Sequence, residues 1–161
     1  MARQQPIELF MAPNMLKAKA GGGFGGVDLS AIKRAESAME SLKTEFAVMA
    51  ADGIRTLSAA CDDYAAKADP ASRAALLRAA HDIKGQAATY DFPLMGRVAA
   101  SLGKLLGEAP EGVALPMNLV DAHVSAMQVI HRKNITGNTD KVALALIGEL
   151  DAQVGALLKQ S

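Results

Sequence analysis

Leu76-Leu77-Arg78-Ala79-Ala80-His81-Asp82-Ile83-Lys84-Gly85-Gln86-Ala87-Ala88-Thr89-Tyr90 is the stretch around which the other segments can be ordered. Leu76, Ala80, Ile83, Ala87 and Tyr90 follow one another at spacings of four, three, four and three, which keeps them on one stripe of a helix. That stripe is the expected buried face. At about 100° per residue His81 lies roughly 140° from its centre, Lys84 roughly 80° and Gly85 roughly 180°, so His81 is expected to face solvent. Imidazole is largely neutral near neutral pH and keeps a nitrogen lone pair, so an exposed one is a nucleophile able to accept a phosphoryl group. Lys84 stands one turn on, where a flexible ammonium can reach the oxygens of such a group. Gly85 costs a helix interior about 0.8 to 1.0 kcal/mol relative to alanine. The missing side chain leaves room for another protein's backbone to approach the ring.

Outward from this helix the pattern stays helical. Asp69-Pro70 marks its start and Phe92-Pro93 its end, since the residue before proline is disfavoured in the α region. On the N-terminal side a helix is expected from Asp28 or Ser30, either a plausible cap, to about Lys67, with a heptad-like stripe of Ile32, Ala35, Met39, Leu42, Phe46 and Met49. Ile54, Leu57, Cys61 and Tyr64 carry that stripe past Gly53, where the helix could bend, and the methionines read as gap-filling core side chains. Beyond Pro93 comes a helix with Met95, Val98, Leu102 and Leu105 inward, in which Gly96 and Gly103 permit close helix contact.

A loop over residues 107–116 leads to a helix from Met117 to Lys133, with Val120, Val124 and Met127 inward and His123 and His131 as core or border residues. After a turn at residues 135–138, with Asn138 or Thr139 as cap, a last helix runs to about Leu158 on a stripe of Ala143, Ile147, Leu150, Val154 and Leu157. No strand is expected. The fold class is all-α: an antiparallel up-down four-helix bundle with one additional helix, occupying residues 27–161. Residues 1–26, which include the glycine run at 21–26, are expected to form a flexible arm. That run is no phosphate loop, because Val27 and Asp28 stand where a Lys-Ser/Thr pair is required.

Composition narrows the function classes. The 161 residues suit one core-forming domain, and Cys61, the only cysteine, makes neither an internal disulfide nor a zinc-like cluster with the three histidines. Neither metal nor cofactor is expected. Lys plus Arg and Asp plus Glu number 17 each, and four Phe and two Tyr offer little base stacking, so no nucleic-acid partner is expected. The apolar patch near the N-terminus is too short for a signal peptide, and no segment has transmembrane length. A cytoplasmic protein without membrane contact is the expectation. A monomer is the default, because one bundle can close its own core.

His81-Asp82-Ile83-Lys84-Gly85 resembles the His-x-x-Lys-Gly signature of histidine phosphotransfer (HPt) domains of two-component phosphorelays. The similarity continues through Ala87, Ala88, Tyr90-Asp91-Phe92 and Leu94, and looks most like the variant in stand-alone HPt proteins of alphaproteobacteria. Asp91 stands where the family usually has glycine, and Gln86 where it often has a small residue. The resemblance implies a phosphocarrier rather than an autonomous kinase. His81 would be the phosphoacceptor, Lys84 would stabilise phosphoryl charge, and Gly85 would allow close approach of a receiver domain. It further implies receiver domains of response regulators and hybrid histidine kinases as partners, docking over Leu77, Arg78, Asp82 and Ala88, with Mg²⁺ in the partner's receiver. A different class also fits the bundle: a phosphorylation-independent adaptor that regulates a receiver or kinase by occupancy.

Overall fold

The computed structural model describes residues 28–160, which fold into five α-helices with no strand among them. They are α1 (Leu29–Lys67), α2 (Pro70–Gln86), α3 (Pro93–Glu108), α4 (Met117–Arg132) and α5 (Lys141–Gln160). The expected arm lies outside the described residues. The chain divides into a first unit, Met1–Ser37, whose described part is the opening of α1, and a second, Ala38–Ser161, which holds the bundle.

Within the second unit each helix buries the stripe that its sequence period implies. Leu57, Leu76, Leu94, Val98, Leu102, Leu105, Met127 and Ile147 are fully inaccessible to solvent. Cys61 is a core thiol, pushed up to about 12 by burial and by the neighbouring Asp121 carboxylate, to which its Sγ donates at 3.4 Å. Links of only a few residues make successive helices antiparallel neighbours. α1 meets α4 through Gln128 Nε2, which donates to Ser58 Oγ at 3.1 Å, and through His131 Nε2, which donates to the Ala47 carbonyl at 3.0 Å. It meets α2 at Gly53, where an added Cβ would lie 3.4 Å from Ile83 Cγ1, so the glycine serves close packing and α1 runs on unbroken. α2 packs on α3 and α3 on α4, closing a four-helix ring, and α5 lies against α3 and α4.

Local chemistry explains the junctions. Asp69 caps α2 in a capping box: its Oδ1 accepts the Ser72 N–H at 2.7 Å, while Ser72 Oγ accepts the Asp69 N–H at 3.3 Å, and Pro70 follows at the first helical position. Regular α2 stops at Gln86, six residues before the end expected at Phe92. The backbone nevertheless keeps winding to Tyr90 and closes with Phe92 N–H on the Ala87 carbonyl at 2.8 Å and Asp91 N–H on that of Ala88 at 3.2 Å. This is a Schellman closure, and it requires a left-handed residue at position 91. Asp91 takes that conformation with φ 64°, so the aspartate does what a glycine would do. Tyr90 ends half-buried, not in the core, with its ring 5.4 Å from that of Phe46.

Two further expectations are corrected. The cap of α5 is neither Asn138 nor Thr139 but Asp140, whose Oδ1 accepts the Ala143 N–H at 2.8 Å. The stripe of α1 is core only in the helix's second half. Ile32, Met39, Leu42 and Met49 are 39, 61, 48 and 49% exposed, so the methionines at 39 and 49 fill no gap.

His123 and His131 are structural, as expected. His123 is buried between its own helix and α3, with Nδ1 donating to the Leu119 carbonyl at 2.7 Å and Nε2 accepting from the Ser101 hydroxyl at 3.1 Å. A carbonyl only accepts, which sets the tautomer. Burial pushes the His123 imidazole below its ordinary value of 6.5. The unfolded chain therefore binds the extra proton first, and stability falls as pH drops below 6.5 toward the folded-state value. Denaturant midpoints measured between pH 8 and pH 5 are expected to decline through that window, and less steeply in His123→Gln.

Candidate functional site

His81 occupies the middle of α2 and is exposed, as the helical arithmetic requires. Buried Ala80 and Ile83 beside it hold the helix against the bundle, which aims the imidazole outward. The ring makes no hydrogen bond to any described residue, so none of them engages its lone pair. It is nevertheless not free on all sides. A Cβ built on Gly103 of α3 would lie 3.5 Å from His81 Cδ2, 3.6 Å from Nε2 and 3.9 Å from Leu77 Cδ1. The imidazole thus lies over Gly103, a position of α3 that carries no side chain, with Leu77 alongside.

Gly103 is the site residue that the sequence reading did not find. The cost of glycine inside a helix was visible, but its partner is 22 positions away and belongs to another helix. Gly96 plays the neighbouring part: a Cβ there would come within 3.2 Å of Ala87 Cβ and 3.6 Å of the Lys84 carbonyl, so α2 and α3 approach closely along this edge. Arg73 holds the same pair together lower down. Its guanidinium donates to the carbonyls of Leu106 at 2.9 Å, Ala109 at 2.6 Å and Pro110 at 3.2 Å, satisfying acceptors at the C-terminus of α3.

Lys84 is exposed and forms no ion pair with a described residue, which leaves its ammonium available to an anion near His81. Gly85 is exposed, and a Cβ there would meet nothing within 4 Å. Glycine at this position is therefore not demanded by the fold of the chain itself. Gly85→Ala is expected to raise stability by about 0.8 to 1.0 kcal/mol in chemical denaturation. If the glycine clears a path for a partner's backbone, the same variant transfers phosphoryl groups more slowly.

Arg78 and Asp82 of α2 are exposed and Leu77 is half-buried, and Ala88, in the turn that follows α2, is exposed, so these four side chains and His81 all reach the surface. Among the described residues no three acidic, histidine or cysteine side chains converge as a metal site. A model of the Hpt domain family matches residues 32–132. No curated protein and no solved structure matches the chain.

Proposed function

The chain belongs to the Hpt domain family, and from that premise we propose that His81 takes a phosphoryl group from the aspartyl phosphate of one receiver domain and passes it to the aspartate of another. A histidine phosphotransfer role in phosphorelays, among receiver domains and histidine kinases, comes with the family. The assignment to His81 rests on one observation: it is the exposed imidazole of the signature, with no hydrogen-bond partner among the described residues. In the forward step a ring nitrogen forms the N–P bond as the P–O bond to the receiver's carboxylate breaks, and the carboxylate leaves as an anion. Nε2 is the nitrogen farther from the backbone and the one a docked partner reaches. The return step reverses these bonds.

Phosphoryl transfer is mostly positioning and charge stabilisation. The receiver brings the Mg²⁺ in this scheme. This chain contributes the nucleophile, the Lys84 ammonium for the equatorial oxygens, and the docking face of Leu77, Arg78, Asp82 and Ala88, with Gly85 as the point of closest approach. A cytoplasmic setting belongs to the same proposal, and no described helix is long and apolar enough to cross a membrane. The test is incubation with a phosphorylated receiver and Mg²⁺. An acid-labile, base-stable modification is expected on His81. A receiver that binds tightly yet leaves His81 unmodified would favour the adaptor reading instead.

A further inference from the structure

On the side of His81 that faces α3, α2 offers a cation after the ring but not before it. Lys84 lies one turn after the ring and roughly 60° round the axis toward α3, where its carbonyl is 3.6 Å from the Cβ position of Gly96. One turn before the ring the matching place is held by apolar Leu77, whose Cδ1 is 3.9 Å from the Cβ position of Gly103. Arg78 lies roughly 60° to the other side of His81, away from α3. The uncovered side is open to whatever α3 brings.

α3 runs antiparallel to α2, so Gly96 stands opposite Lys84 and Ala87, while Gly103 stands opposite Leu77 and His81. Lys104 follows Gly103 and is exposed, whereas Leu102 before it is fully buried. The Lys104 side chain therefore leaves α3 on its solvent side, at the level of the ring. Arg97, also exposed, is seven residues and about 10 Å further along, opposite the end of α2. Lys104 forms no ion pair with a described residue, although the Glu108 carboxylate stands one turn on. Cδ2 and Nε2 of His81 lie 3.5 and 3.6 Å from the Gly103 Cβ position, so a phosphoryl group on Nε2 is carried at the groove between the two helices. Its charge is spread over three oxygens, and Lys84 reaches them from one side. An ammonium on a flexible four-carbon stem at position 104 reaches them from the other.

We propose that Lys104 is a second cation for the phosphoryl group on His81, contributed by α3 from the side opposite Lys84. This rests on His81 being the phosphoacceptor, and it adds a residue that the His-x-x-Lys-Gly signature does not contain. The ammonium contacts the phosphoryl oxygens and transfers no proton, so the bonds made and broken at His81 stay as described above.

The experiment phosphorylates the full chain with two donors: a phosphorylated receiver with Mg²⁺, and phosphoramidate, a small donor that needs no docking face. With phosphoramidate, the His81 nitrogen forms its N–P bond as the donor's P–N bond breaks. Ammonia leaves with the hydrogens the zwitterionic donor already holds, and the ring's other N–H proton passes to water. Lys104→Met is expected to slow His81 phosphorylation about tenfold with both donors, at unchanged thermal stability. That is less than the loss of a fixed oxyanion donor, because an exposed lysine is solvated and flexible. Lys104→Arg restores most of the rate. Lys159→Met, which removes an exposed cation from the last turn of α5, keeps the parent rate. A parent rate in Lys104→Met with both donors overturns the proposal. Slowing with the receiver alone also overturns it, since Lys104 would then be a docking contact, and equal slowing in Lys159→Met does so by making net charge the cause. A parent chain that takes no label on His81 from either donor is a failure of the phosphoacceptor reading itself, and removes this proposal with it.

Discussion

His81→Gln is expected to lose phosphoryl acceptance from a phosphorylated receiver by at least about 10³-fold, to background, while the chain stays folded. Glutamine matches the imidazole in reach and polarity, but its amide nitrogen has no available lone pair, so no N–P bond can form. The histidine is exposed and bonds to nothing described, so its replacement falls among the surface changes that alter stability by no more than about 0.5 kcal/mol. Single-turnover transfer from a radiolabelled receiver, with thermal unfolding alongside, separates the two effects. Label retained on the variant would place the acceptor elsewhere. Loss of label together with loss of helical signal would make His81 a structural residue.

Gly103→Leu is the second large effect, and it acts from another helix. The Cβ position at 103 lies 3.6 Å from His81 Nε2, so the branched end of a leucine can only cover the ring or displace it. Misplacing a reacting atom by about 1 Å can cost on the order of 10²-fold in rate, and a loss of that size is expected here. Gly103→Ala is the control. Its Cβ would sit at ordinary van der Waals distance from the ring, and alanine is favoured over glycine in a helix, so this variant should keep most of its transfer rate. Stopped-flow transfer rates for the two variants check the ordering. Equal rates in Gly103→Leu and the parent would show that the open position at Gly103 has no part in access to His81.

The sequence by itself determined what depends on neighbours in the chain. The helical period of Leu76, Ala80, Ile83 and Ala87 set the buried face of α2, and the geometry of one helix then placed His81 outside and Gly85 in open space. Pro70 after Asp69 marked the helix start for the same local reason, because cap and proline act within one turn. Asp91 was legible as a departure from the family pattern, but only the Schellman closure shows it holding φ 64°. The tertiary structure alone decided the rest. That Gly103 lies under the His81 ring, that Gly53 admits Ile83, and that the stripe of α1 has a core beneath Leu57 but little under Met39 depend on which helix lies against which. A periodic pattern states that a face is apolar; it does not state what covers it. That partner comes from parts of the chain far away in sequence, brought together only when the bundle closes.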